Sequence, residues 1–199
     1  LLPNVLTLGN MFSGIFSITL SMEAETTGDT TLAAYFVLVA MFCDLMDGRV
    51  ARMADAKSEF GTQMDSLTDG ISFGLAPAFL MYSWGMPSLG LLGVFFGFLF
   101  ASGAIMRLAR FNVRADRREG LSTHFLGLPT PLAAGMVVSV VLAHTSLTGQ
   151  ATVDSSWSVA ALATLVGGLM VSNIRYRTFK DVDWNARTFA GLVVAAAGL

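Results

Sequence analysis

Long apolar stretches separated by short polar breaks run along the whole chain. Crossing about 30 Å of hydrocarbon takes about 20 apolar residues at 1.5 Å rise each, and the stretches come near that length. The first covers residues 3–22 and closes on a polar loop of Glu23, Glu25, Thr26, Thr27, Gly28 and Asp29. The second covers 31–53 and is polar in its last third; the third covers 61–84 and is polar in its first third. After Gly85 and Pro87 a fourth spans 88–110, followed by a charged connection over 114–123. A fifth opens near Pro129, where proline suits a helix start, and ends at His144. A polar stretch over 145–156 leads to a sixth span at 157–172, a charged connector at 174–184, and a seventh apolar run from 188 to 199. The first stretch has no basic segment before it and no small-residue cleavage signal, so it reads as a true span. The expected fold is all-α, a polytopic integral membrane helical bundle of about seven or eight transmembrane helices, in one domain over residues 1–199.

Composition agrees. Of 199 residues, 54% are hydrophobic and 13% charged, against about 25% charged in soluble domains. Those figures exclude a soluble globular or disordered chain. With 20 Gly, 5 Pro and one cysteine, collagen-like and disulfide-stapled scaffolds are excluded too. The lone Cys43 reads as a buried apolar thiol. A net charge of −2 implies no nucleic-acid partner.

The placement of charge is more informative than its sum. Seven spans put the connections at 23–30, 85–87 and 145–156 on one side, and none of these holds a Lys or Arg. All 12 basic residues fall in the other connections or in the helix turns beside them: Arg49, Arg52, Lys57, Arg107, Arg110, Arg114, Arg117, Arg118, Arg175, Arg177, Lys180 and Arg187. By the positive-inside rule the N-terminus and this second set are cytoplasmic, and the chain is expected in the cell membrane.

The polar ends of spans two and three meet on that cytoplasmic side. Asp44 and Asp47 are spaced i,i+3, and Asp65 and Asp69 i,i+4, so each pair shares a helix face. Gly48, Ala51 and Gly61 are small on the same faces and let a bulky ligand approach the backbone. A carboxylate near hydrocarbon costs several kcal/mol unless it is paired or binds a cation, and Arg49 and Arg52 cannot neutralise four. A salt-bridged seam between helices would explain one such residue better than four. Oxygen-only donors, with no His or Cys beside them, suit hard cations such as Mg²⁺ or Mn²⁺. Two such ions about 3.5–4 Å apart can activate one oxygen and stabilise another as it leaves. No other span carries the acidic path across the membrane, so the cluster reads as a pocket open on one face.

The run Asp44-Leu-Met-Asp47-Gly48-Arg-Val-Ala51-Arg52, eight further residues, then Gly61-Thr-Gln-Met-Asp65-Ser-Leu-Thr-Asp69 resembles the complete signature of the CDP-alcohol phosphotransferase family, D-x2-D-G-x2-A-R-x8-G-x3-D-x3-D. The flanks Pro3-Asn4-Val-Leu-Thr7-Leu-Gly-Asn10, Gly70-Ile-Ser72-Phe-Gly74-Leu-Ala-Pro77-Ala, Arg107-Leu-Ala-Arg110-Phe-Asn112, Gly127-Leu-Pro129-Thr-Pro131 and Met170-Val-Ser-Asn-Ile-Arg175-Tyr look like the phosphatidylserine synthase branch.

The resemblance implies transfer of a phosphatidyl group from CDP-diacylglycerol to the hydroxyl of L-serine, with release of CMP. It implies one divalent ion on Asp44, Asp47 and Asp65, and a second on Asp44, Asp65 and Asp69. Asp69 would also be the general base. Gly48, Arg52 and Ser58 match positions that contact the CDP-lipid, Gly61 is counted with them, and Asn4 and Thr7 match a polar pair near the nucleotide. Arg107 and Arg110 end the fourth span on the same side and would hold the acceptor's carboxylate, for which a guanidinium is the best geometric partner; as plain membrane anchors they would satisfy the charge rule equally. The family's members form homodimers, and membrane lipids are expected neighbours.

The remaining features read as structural. Arg114, Arg117 and Arg118 would touch anionic lipid heads. Ser66 and Ser72 would serve helix–helix packing, as would the Gly93–Gly97 pair. His124 and His144 would be interfacial polar groups, and Trp84, Trp157 and Trp184 an aromatic belt. Rival functions are the same transfer to glycerol 3-phosphate or an inositol phosphate, an intramembrane prenyltransferase, and a divalent-cation transporter.

Overall fold

A computed structural model describes residues 2–27, 29–53, 59–116, 124–150, 152–153 and 155–177. The helices are α1 (Leu2–Thr27), α2 (Thr31–Met53), α3 (Glu59–Asp69), α4 (Ala76–Gly85), α5 (Leu91–Asp116), α6 (Thr130–Thr148) and α7 (Ser156–Val171), with a 3-10 turn at Pro87–Leu89. Asp29 Oδ1 accepts the Thr31 N–H at 2.8 Å where α2 begins, and the Thr31 donors hold its carboxyl below the usual carboxylate range. The expected seventh span at 188–199 lies outside the described residues.

Among the described residues, four helices are long and apolar enough to cross a membrane, over Val5–Ala24, Thr31–Val50, Leu91–Val113 and Thr130–Thr148, and α7 is a shorter apolar helix. Several run beyond the apolar stretches that announce them. The first continues through Glu23 and Glu25, the fifth to Asp116 and the sixth to Thr148. Backbone hydrogen bonding does not stop where the side chains turn polar, so hydropathy finds the apolar middle of a helix rather than its ends.

The expected third span is helical throughout but not uniform. Between α3 and α4 lies a π-helical segment, Gly70–Leu75, closed by the Ala76 N–H on the Ile71 carbonyl. Pro77, in the first turn of α4, has no N–H, and its ring would crowd the Phe73 carbonyl in a regular α-helix. Widening the preceding turn relieves the clash. Because Asp69 is the last residue before this segment, Pro77, two residues past the segment's end, bears on how the acidic helix is presented.

On α1 the packing is inside-out relative to a soluble bundle: the buried positions are Thr7, Asn10, Ser13, Gly14, Ser17, Ser21 and Ala24, while Val5, Leu8, Phe12, Ile15 and Met22 are exposed. Lipid is as apolar as Leu, so helices associate through small residues and interhelical hydrogen bonds. Ser17 Oγ donates to the Ala33 carbonyl of α2 at 2.8 Å, and Ser83 Oγ of α4 to the Ser21 carbonyl of α1 at 2.5 Å. Gly103 of α5 meets Gly167 of α7 so closely that a Cβ on Gly103 would lie 2.7 Å from the Gly167 carbonyl oxygen. Gly93 and Gly97 also serve packing: a Cβ on Gly93 would lie 2.6 Å from the Met86 carbonyl, and one on Gly97 3.6 Å from that of Ala78.

Two expectations are corrected. Trp84 is not a belt residue: it is 3% exposed, its ring edge-on to His144 at 5.5 Å. Trp157, at the start of α7, is 63% exposed, and Trp184 lies outside the described residues. The all-α reading also misses a short ladder, in which β1 (His124–Leu126) pairs antiparallel with β2 (Arg175–Arg177). Gly127 follows at φ +79° with its Cβ position 2.2 Å from the Met170 carbonyl, a place only glycine fills. Its N–H reaches the Ile174 carbonyl at 3.0 Å, which docks the entry to α6 on the end of α7.

Candidate active site

The last turns of α2 carry Asp44 and Asp47, and α3 carries Asp65 and Asp69. Asp44, Asp65 and Asp69 each offer a carboxylate oxygen, and these oxygens all lie within 4.8 Å of one another. Each of the three is half-buried. Asp44 faces the like charges of Asp65 and Asp47. Asp69 faces Asp44 and Asp65, with Asn10 and the guanidinium of Arg107 as its favourable neighbours.

Asp47 stands apart from that triplet. It is 6% exposed; one oxygen accepts the Thr7 hydroxyl of α1, and Oδ1 is buried without a hydrogen-bond partner. Three converging carboxylates plus an orphaned carboxylate oxygen make an arrangement that repels itself when all are ionised. An oxygen-only donor set of this charge fits a hard divalent cation.

Of the residues expected at the CDP-lipid, Gly48, Gly61 and Thr7 are described in full. Gly48 lies on the outer face of α2, where an added Cβ would meet nothing within 4 Å, so the backbone there is open to a ligand. Gly61 is half-buried on α3. Thr7 is buried and turned to Asp47. Asn4 and Arg52 belong to α1 and α2, with side chains outside the described residues, and Ser58 lies outside them altogether.

The two arginines of the fourth span separate. Arg107, whose charge acts on Asp69, donates to Thr130 Oγ1 at the start of α6 (3.3 Å) and lies over the Phe111 ring at 5.6 Å. Arg110 turns to the end of α7, donating to Asn173 Oδ1 at 2.7 Å and the Val171 carbonyl at 3.4 Å. The structure thus brings Arg107, and not Arg110, to the carboxylates.

Sequence reasoning assigned no role to Asn10, Thr130 or Asn112. Asn10 donates to Asp69 Oδ1 at 3.4 Å, and Asn112 exchanges hydrogen bonds of 2.9 and 3.1 Å with Ser66 on α3. A signal for Asn10 was present: Thr7 and Asn10 are spaced i,i+3 inside an apolar stretch, and so share one face of α1.

The profile of the CDP-alcohol phosphatidyltransferase family matches residues 1–170. The chain belongs to the CDP-alcohol phosphatidyltransferase family. Within it, the chain is 36% identical to a CDP-diacylglycerol–serine O-phosphatidyltransferase of Helicobacter pylori over 192 residues, 95% of this chain and 77% of the relative. It is 38% identical over 177 residues to the archaetidylserine synthase of Methanothermobacter thermautotrophicus (88% and 69%). It is 28% identical over 180 residues to a CDP-diacylglycerol–serine O-phosphatidyltransferase of Bacillus subtilis (90% and 91%). The family is divalent-metal dependent, and the Asp44, Asp65 and Asp69 oxygens are grouped closely enough to share one ion.

Proposed function

We propose that this chain transfers a phosphatidyl group from CDP-diacylglycerol to the hydroxyl of L-serine, yielding phosphatidylserine and CMP. The observation that carries the reading is the pairing of the Asp44, Asp65 and Asp69 cluster with Arg107 beside Asp69, in a chain whose relatives' names share serine.

Asp69 takes the proton of the serine hydroxyl. The hydroxyl oxygen forms a new bond to the phosphorus bearing the diacylglycerol, and the phosphoanhydride bond to CMP breaks, its electron pair leaving with the CMP phosphate. Base and hydroxyl must come within hydrogen-bond reach. Arg107, stacked on Phe111 and held by Thr130, binds the serine carboxylate from the Asp69 side; Arg110, three residues further along α5, ties that helix to the end of α7. Gly48, Arg52, Ser58, Gly61, Asn4 and Thr7 are assigned to the CDP-lipid in this reading, with Gly48 letting the nucleotide approach the α2 backbone.

Asp44, Asp47 and Asp65, and Asp44, Asp65 and Asp69, would hold divalent ions, Mg²⁺ or Mn²⁺, which would supply fixed positive charge for the phosphate oxygens as negative charge builds on them. The orphaned Asp47 oxygen supports its place in this set.

The segregation of basic residues supports an N-terminus and active site on the cytoplasmic face of the cell membrane. The four long helices, the α3–α4 run and the shorter α7 fit a bundle of about seven or eight crossings, in one domain with its signature at 44–69. The working unit is a homodimer. Incubating membranes with CDP-diacylglycerol and labelled serine, glycerol 3-phosphate or inositol phosphate, with and without chelator, tests the reading. Serine transfer that stops with chelator is expected; transfer to glycerol 3-phosphate alone would remove the serine assignment.

A further inference from the structure

Asp69 is held from α1 as well as from its own helix. Asn10 Nδ2 donates to Asp69 Oδ1 at 3.4 Å, and the Asn10 backbone carbonyl accepts the Ser72 hydroxyl at 3.1 Å. Asn10 and Ser72 are both 0% exposed. A Cβ on Gly14 would lie 2.3 Å from Ser72 Oγ, so the α1 backbone closes directly on the π-helical segment. These contacts tie the last residue of α3, the wide turn after it and the middle of α1 into one latch. π segments inside helices often accompany functional sites, and this one begins at the residue after Asp69.

The amide's orientation follows from its neighbour. A carboxylate accepts and does not donate when ionised, so only the nitrogen of Asn10 can face it. The amide oxygen is then left buried with no partner, a standing cost that an apolar residue at position 10 would not carry. Packing therefore does not account for the amide; its contact with Asp69 does.

We propose that Asn10 is a positioning residue for the transfer reaction: its amide, anchored through the Ser72 latch, pins one oxygen of Asp69 and turns the other toward the acceptor hydroxyl. This rests on Asp69 being the base of the reaction proposed above. The full chain in lipid vesicles, as wild type, Asn10→Leu, Asn10→Gln and Ser72→Ala, is assayed for CMP release with kcat and both KM values determined. Asn10→Leu is expected to lower kcat about 10- to 100-fold, as loss of one charge-assisted hydrogen bond would, with both KM values within about two-fold. Ser72→Ala should give a smaller fall of the same kind. If Asn10→Leu does not accumulate, Asn10→Gln, which keeps the donor but displaces it by one methylene, is read in the same way. A kcat within two-fold of wild type, or a loss carried by the CDP-diacylglycerol KM, overturns the inference. Wild type that releases no CMP with serine would instead defeat the acceptor assignment, and the Asn10 ratio is then taken with the acceptor wild type does use.

Discussion

Thr7 and Asp47 are 40 positions apart and hydrogen-bonded, the α1 hydroxyl donating to one carboxylate oxygen of the α2 residue. One turn further along α1, Asn10 makes the equivalent contact with Asp69 of α3. The first helix thus presents two neutral donors on one face, each to a carboxylate on a different helix. A neutral donor can orient a carboxylate without cancelling the charge that a metal ion needs.

That relationship gives a first prediction. Thr7→Val keeps the shape and removes the donor, leaving Asp47 buried with neither oxygen partnered. The divalent-ion concentration for half-maximal activity is expected to rise about ten-fold, with Thr7→Ser restoring most of the difference. A metal titration of transfer activity measures it, and an unchanged midpoint in Thr7→Val would show that the hydroxyl does not serve the acidic site.

Asp69→Asn separates binding from chemistry. The amide is close in size to the carboxylate but takes up no proton at working pH. Transfer is expected to fall below detection while labelled CDP-diacylglycerol still binds within several-fold of wild type. Retained transfer would show that another group accepts the hydroxyl proton. A cation transporter would give the opposite pattern, with ion flux into vesicles persisting in this variant.

The divergence of Arg107 and Arg110 predicts unequal effects. Arg107 lies by Asp69, whereas Arg110 is engaged with Asn173 and Val171. Arg107→Ala should raise the serine KM at least ten-fold with the CDP-diacylglycerol KM little changed, because a charge-assisted bidentate contact is lost. Arg110→Ala should act mainly on stability at the α5–α7 end, visible as a lower melting temperature with a serine KM near wild type. Equal serine KM effects in the two variants would return Arg110 to the acceptor site.

The apolar helices and the acidic cluster were legible because each rests on local pattern: apolar run length for the helices, i,i+3 and i,i+4 spacing for Asp44, Asp47, Asp65 and Asp69. Relations between helices were not. The sequence marks Trp84 as a span-end aromatic, but only the packing of α4 against α6 shows it buried beside His144. Arg107 and Arg110 look alike on one helix, and differ because Thr130 and Asn173 come from two separate elements. The ladder of β1 and β2 joins connectors about 50 residues apart, each three residues long, too short for an alternation signal. Pro77 was visible, yet the π-helical segment it favours depends on whether the surrounding helices accept a wider turn, as α1 does at Gly14.

The Gly103–Gly167 contact supplies a stability prediction independent of the chemistry. With no Cβ on either residue the α5 and α7 backbones touch, and a methyl on Gly103 would sit 2.7 Å from a carbonyl oxygen that cannot retreat without moving α7. Gly103→Ala is therefore expected to destabilise by about 1–3 kcal/mol, as overpacking does, although alanine is the better helix former. Gly168→Ala, one residue from Gly167 but with open space at its Cβ position, should be neutral or slightly stabilising. Thermal unfolding in detergent compares the two. A Gly103→Ala chain as stable as wild type would mean that α5 and α7 are not in backbone contact, and α7 would then lack the support that lets it anchor both β2 and the entry to α6.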